Sequence, residues 1–221
     1  MKVHSIFQSI NGEVCGPGQG SVCTFIRFQK CNLKCPYCDT HDSQSGKGGK
    51  NYTKHGILNA IRSLPINTKN ITITGGEPLL QKELDGLIML LDQYNYITTI
   101  ETNGSICPSS TMKAYSCMVM DCKLSSAFMT TKQYDQYNKK FLENVKMLSY
   151  SDWIKFPIQT EEDFNLALYN KSRCEEINEY IRFAFSAIKP LSSKKLLEWI
   201  FKEEIYDAVL NVQLHKVVGV P

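Results

Sequence analysis

Short runs of β-branched and aromatic residues alternate along the chain with longer segments whose apolar positions recur at helical spacing, which is the pattern of an α/β domain with a mainly parallel sheet. Ser21–Phe28 reads as a first strand, Asn51–Leu64 as a helix, and Ile71–Thr74 as a short strand ending at Gly75-Gly76. Between Gln81 and Tyr94 the apolar residues Leu84, Leu87, Ile88 and Leu91 fall at spacings of three and four, so one face of a helix is covered and should rest on the sheet. Tyr96–Glu101, Met118–Asp121 and Trp153–Pro157 are the next strands, and Tyr134, Tyr137, Phe141, Val145 and Leu148 mark a helix before the last of them. Thr160 with Asp163 resembles an N-cap followed by a first-turn acid, opening a helix through Leu168. The period then repeats as strand Tyr180–Phe185, helix Ser192–Phe201 and strand Ala208–His215. These segments make about six βα steps, enough for a partial (β/α)6-type barrel and short of the eight in a complete TIM barrel. His41–Lys50, rich in Ser, Gly and Lys, is expected to be a loop, and no linker divides residues 1–221.

A chain of 221 residues, 43% of them hydrophobic, is long enough to bury one sizeable core as a single domain. The 25 Lys and Arg against 22 Asp and Glu leave a formal +3, too small to call for a nucleic-acid or membrane partner. Met1–Ser5 lacks the apolar stretch of a signal peptide, and no long apolar run occurs, so a soluble, cytoplasmic protein is expected. Nine cysteines in such a chain need a reason. Cys15, Cys23, Cys107, Cys117, Cys122 and Cys174 are scattered singly, as small buried hydrophobes are, whereas the other three crowd into Cys31-Asn32-Leu33-Lys34-Cys35-Pro36-Tyr37-Cys38.

Thiolates at intervals of four and three let one loop wrap one metal centre, and soft sulfur ligands suit iron–sulfur clusters and zinc. A four-iron cluster usually takes four cysteines, so three leave one iron open to an outside ligand. A structural zinc recruiting His41 and a coincidence of structural cysteines are the alternatives.

The C-x3-C-x2-C loop resembles the signature of the radical S-adenosylmethionine (SAM) superfamily, and Gly75-Gly76-Glu77-Pro78 resembles its second motif. More narrowly, the chain resembles the 7-carboxy-7-deazaguanine synthase family through Phe7–Glu13, Phe25–Phe28, Cys38–Thr40, Glu101–Gly104, Asp121–Ser126, Ile154–Phe156 and Gln213–Lys216. The resemblance departs from the family at Asn11 and Val14, where Gln and Gly are usual, and Val14 lacks a glycine's access to positive φ. It implies a radical SAM barrel, a 4Fe-4S cluster on Cys31, Cys35 and Cys38, SAM as cofactor, and ring contraction of 6-carboxy-5,6,7,8-tetrahydropterin with loss of ammonia. A flavodoxin- or ferredoxin-like electron donor and a homodimer are implied as well. A glycyl-radical activase shares the loop and the D-x-K pair, and a non-catalytic iron–sulfur or zinc protein is the rival from another class.

For SAM the resemblance implies Tyr37, Asp39, Gly75, Gly76, Glu77, Glu101, Asp121, Lys123 and Ser125; for the substrate, Ile10, Asn11, Gly12, Glu13, Arg27, Thr74, Gln213, His215 and Pro221; and for a magnesium ion, Thr40. Read as residues alone, several keep a second meaning. Gly75-Gly76 suits an ordinary turn as well as a close ligand, and Glu101 suits a solvated strand end as well as ribose hydroxyls. Asp121 and Lys123 suit a surface salt bridge. Arg27, alone among apolar neighbours, needs an anion, either a substrate carboxylate or Glu13. Thr40 could cap a turn, and a lone His215 could be structural.

Overall fold

The computed structural model describes residues 1–221 as a nine-stranded sheet. The strands are β1 (Lys2–Ile10), β2 (Val22–Phe28), β3 (Lys50–Asn51), β4 (Asn70–Gly75), β5 (Ile97–Thr102), β6 (Ser116–Asp121), β7 (Trp153–Ile158), β8 (Arg182–Ala187) and β9 (Ala208–Asn211). Their order, β3-β1-β2-β4-β5-β6-β7-β8-β9, is linear, so the barrel is open with β3 and β9 at its edges. From β2 onward, β3 apart, neighbours run parallel, and β1 pairs antiparallel with β2 and β3. The helices are α1 (His41–Gln44), α2 (Lys54–Arg62), α3 (Leu84–Gln93), α4 (Ser110–Tyr115), α5 (Thr131–Val145), α6 (Glu161–Ile177), α7 (Ser193–Lys202) and α8 (Leu214–Val218). None is long and apolar enough to cross a membrane.

The period-two alternation of each strand sorts its side chains between a helix-covered outer face and an inner lumen. Ile26, Phe28, Ile71, Ile73, Ile100, Met118, Met120, Ile154, Phe156, Phe183 and Phe185 join helix residues such as Leu87, Phe141, Phe164 and Leu196 in one buried cluster. The predicted stripe on α3 is buried at all four positions, and α6 opens with the expected capping box, Thr160 and Asp163 each accepting from the other's backbone N–H. The opposite parity faces the lumen and changes character along the strands. Deeper in, Val14 fills the space between Val119 and Ala184, with Trp153 against it. Towards the strands' C-terminal ends the lumen carries Arg27, Thr74, Glu101, Asp121, Lys155 and Ser186.

Three readings of the sequence change. The expected strand to His215 ends at Asn211, and His215 lies on the short helix α8, because Gln213 leaves extended conformation and Leu214 N–H donates to Gly12 O at 2.9 Å. Lys2–Ile10 forms a strand the pattern does not announce: its pairing with β2 slips between Val3 and Ser5, so the alternation is broken. Within the expected loop His41–Lys50 the chain makes one helical turn, α1, and its last residue joins β3.

Candidate active site

A cavity of about 1230 Å³ opens at the C-terminal ends of the parallel strands. Its lining includes Cys31, Cys35, Cys38, Tyr37, Asp39, Thr40, Gly75, Gly76, Glu101, Asp121 and Lys123, together with Gly12, Glu13, Arg27, Thr74, Gln213, His215 and Pro221. Residues spread over two hundred positions thus meet in one space. Glu77, Ser125, Ile10 and Asn11 do not line it.

The thiolate loop follows β2 and is seated on β4 with no clearance. A Cβ on Gly75, whose φ is +139°, would lie 2.3 Å from Phe28 O, and one on Gly76 would lie 2.2 Å from Lys30 O. The glycines are therefore required by the loop's approach as well as by exposure to a ligand. Glu77 is fully buried beneath them and accepts from Leu79 N, Thr102 Oγ1 and Asn103 N at 3.0, 2.8 and 2.8 Å, tying the end of β4 to that of β5. Its place is that of a brace. Burial raises its carboxyl to about 7, against the pull of those three donors.

The donor set fits an iron–sulfur cluster. The three thiols line one end of the cavity without a fourth cysteine. No three His, Cys, Asp or Glu side chains are grouped as ligands of a single ion, which a tetrahedral zinc would require, while a cluster spreads its thiolates over separate irons. His41 is exposed and lies outside the cavity. Donors also reach the sulfurs: Leu33 N–H is 3.4 Å and Asn103 Nδ2 3.6 Å from Cys31 Sγ, and Thr40 Oγ1 is 3.6 Å from Cys38 Sγ. Burial raises the Cys31 and Cys35 thiols, and Lys123 opposes it at both.

Beyond the thiols the wall is charged. Asp121 and Lys123 form a 2.7 Å ion pair with side chains 18% and 15% exposed, so they are not a surface bridge. Glu101 faces inward and is not a solvated strand end; burial and then the Glu13 carboxylate raise it to about 7. Lys155, a mid-strand residue of β7, reaches Asp121 Oδ1 at 3.0 Å and also Glu13. Glu13 in turn accepts from Gln213 Nε2 at 2.6 Å. Glu13 is thus engaged elsewhere and forms no ion pair with Arg27. Arg27 makes no ion pair, its Nε is buried without a partner, and its guanidinium lies over Phe7 at 5.4 Å.

The chain ends close the cavity. A Cβ on Gly12 would lie 1.7 Å from His215 Nδ1, so the loop after β1 and α8 are in direct contact. Burial lowers the His215 pKa. Lys216 pairs with Asp39 at 2.7 Å, and Ser9 Oγ donates to Pro221 O at 2.5 Å. Asn11 is buried behind this wall, between Ser21 Oγ and Thr72 Oγ1. Val14 adopts no positive φ. Ser125 donates to Asp163, the cap of α6, and serves the fold.

Lys155 lies in the Ile154–Phe156 stretch and Asn103 in Glu101–Gly104, both of which carry the resemblance, but the sequence assigns neither a role. Lys155 had the signal that marked Arg27, a cation in an otherwise apolar strand. Asn103 sits in the Glu101–Gly104 stretch, but nothing in the sequence tells that its amide reaches a thiol and Asn32 Oδ1.

The family model of the radical SAM superfamily matches residues 25–114. The 7-carboxy-7-deazaguanine synthase of Clostridium acetobutylicum is 35% identical over the whole chain and 96% of its own length. That of Aquifex aeolicus is 28% identical over 97% of the chain and 91% of its own. Among solved structures, QueE from Escherichia coli superposes with a TM-score of 0.73 at 20% identity, covering 96% of this chain and 93% of that one. TYW1 with a lysine-pyruvate adduct bound reaches a TM-score of 0.58 at 12% identity, covering 84% and 74%.

Proposed function

Because the chain belongs to the 7-carboxy-7-deazaguanine synthase family of radical SAM proteins, we propose that it converts 6-carboxy-5,6,7,8-tetrahydropterin to 7-carboxy-7-deazaguanine with loss of ammonia. The observation that carries this reading is one cavity lined both by three thiols and by an arginine that makes no ion pair. Cys31, Cys35 and Cys38 would hold the 4Fe-4S cluster, leaving one iron for SAM. When bound, the cluster and SAM supply one-electron reductive cleavage of SAM, and hence a carbon radical that abstracts hydrogen.

The chain's own residues bind and orient. Tyr37, Asp39, Gly75, Gly76, Glu101, Asp121 and Lys123 stand along the thiol side, where SAM would lie; Glu101 and Asp121 would accept from ribose hydroxyls and the amino group. Arg27 would take the pterin carboxylate, and Glu13, Gln213 and the carbonyl of Pro221 would accept its ring N–H and amino donors. The buried lumen excludes water around the reacting atoms. Thr40, half-buried beside Cys38, offers one hydroxyl to a magnesium ion that would keep several waters. A flavodoxin- or ferredoxin-like donor, a cytoplasmic setting and a homodimer complete the reading.

The test is anaerobic reconstitution with iron and sulfide, reduction, and addition of SAM and the carboxy-tetrahydropterin. The expected products are 7-carboxy-7-deazaguanine and ammonia, which together carry every atom of the pterin, so SAM need not be consumed in proportion to them. Cleavage of SAM with the pterin returned unchanged would overturn the substrate assignment.

A further inference from the structure

Lys155 is the buried charge in the lumen that forms ion pairs toward both ends of the cavity, the other link between them, Lys216 with Asp39, being exposed. The Lys155 ammonium touches Glu13, which stands on the loop after β1 with Gln213, and Asp121, which stands at the end of β6 with Lys123. Resting on the proposed reading, we propose that Lys155 is a positioning residue through which SAM and substrate binding are energetically coupled.

The argument is one of shared partners. Three carboxylates, Glu13, Glu101 and Asp121, face two ammonium groups, Lys123 and Lys155, so Lys155 is shared between Glu13 and Asp121 before a ligand arrives. Lys123 pairs with Asp121 alone, Arg27 forms no ion pair and the Lys216–Asp39 pair is exposed, so Lys155 is the buried cation that spans both groups. It is 8% exposed, which keeps screening by water weak and each pairing strong. It also has little freedom to retreat, because its own carbonyl accepts from Cys122 N at 2.8 Å and β7 is paired on both sides. When SAM donates hydrogen bonds to Asp121 and Glu101 it takes up acceptor capacity that Lys155 otherwise fills, and the ammonium turns more fully to Glu13. Held through Oε2, Glu13 is then fixed where its other oxygen, Oε1, can accept from a pterin's N–H donors. The effect is positive cooperativity, and it must be reciprocal.

The experiment titrates 6-carboxy-5,6,7,8-tetrahydropterin into cluster-loaded, unreduced protein with and without SAM, so that no turnover occurs. In the wild type SAM tightens pterin binding by at least about fivefold, the lower end of ordinary coupling. In Lys155→Met, with cluster spectrum and circular dichroism unchanged, the factor falls to about one, and Lys155→Arg restores part of it. If Lys155→Met fails to fold, Lys155→Gln, which keeps a hydrogen-bond donor but no charge, is read the same way. Pterin binding with an equal factor in wild type and the Lys155 variants overturns the coupling alone, as does a wild-type factor of one. A wild type that binds SAM and no pterin overturns the functional reading, and the coupling with it.

Discussion

At the thiol end of the cavity the loop from Lys30 to Thr40 lies on β4 so closely that Gly75 and Gly76 have no room for a methyl group, and a buried carboxylate, Glu77, locks three backbone or side-chain donors beneath it. At the substrate end Ser9–Glu13 is held to α8 and Pro221 by single hydrogen bonds and the edge of the His215 ring, and to β7 by one ion pair, Glu13 with Lys155. Backbone packed on backbone without clearance leaves one geometry, whereas a wall built mainly from side chains around the Leu214 N–H to Gly12 O hydrogen bond leaves several. The difference explains why departures from the family pattern, Asn11 and Val14, fall at the second end: Asn11 finds hydroxyl partners and Val14 an apolar pocket, and neither needs a strained backbone.

The largest effect that would break this comparison is at the thiols. Cys31→Ala, Cys35→Ala or Cys38→Ala is expected to abolish SAM cleavage, while Cys107→Ala, Cys117→Ala and Cys174→Ala retain it, measured as 5′-deoxyadenosine formed. A dispensable cysteine among the first three removes the cluster assignment. Next come the glycines. Gly76→Ala forces a backbone carbonyl to move, at a cost of about 3 kcal/mol or more, and is expected to lower the denaturation midpoint and prevent cluster loading together. Gly12→Ala meets only a movable imidazole, so it should keep the cluster spectrum and cost about 1 kcal/mol, while raising the KM for the pterin. Equal losses of stability in the two variants would show that both ends are equally rigid.

Glu77 sharpens the same contrast through pH. Its folded value, about 7, lies above the unfolded value of about 4.3, so the folded form keeps its proton longer. Its contribution is fully present below about pH 4 and lost as pH rises to about 7, on the order of 3 kcal/mol in all. Denaturation of Glu77→Gln at pH 5 and pH 7.5 should show a smaller loss of stability between the two than wild type. Parallel losses would contradict the raised value. Smaller still, deleting Val220 and Pro221 should raise the KM for the pterin about tenfold and leave that for SAM unchanged, since Pro221 faces the substrate end. The smallest effect is expected at Thr40: Thr40→Ala should blunt the response of activity to magnesium with the cluster spectrum intact.

The regular elements were legible because a parallel strand facing helices on one side must be apolar at alternate positions, and Ile71, Ile73, Phe156 and Phe185 are so placed. The motif residues gathered as expected because five of them, Arg27, Thr74, Gly75, Glu101 and Asp121, sit near the ends of strands whose order follows the chain. What the sequence hid is what depends on contact rather than period. The slip in β1 erased its alternation, α4 is too short to show a stripe, and α8 exists because Gly12 O captures Leu214 N–H. Glu77 carried a family motif into a structural task, and the role of Lys155 stayed unseen because its partners lie 142 and 34 positions away or more.

The contact between Gly12 and His215 also bears on how the protein comes into being. The groups that seat the thiolate loop, Phe28, Gly75, Gly76, Glu77, Thr102 and Asn103, all lie in the first half of the chain and leave the ribosome early. The substrate wall joins residues about two hundred positions apart, Glu13 to Gln213 and Ser9 to Pro221, and must wait until the segment from Gln213 to Pro221 has been made. Such distant closures carry the highest loop entropy and come late in folding. A nascent chain should therefore acquire the seat for its cluster well before the site for its substrate.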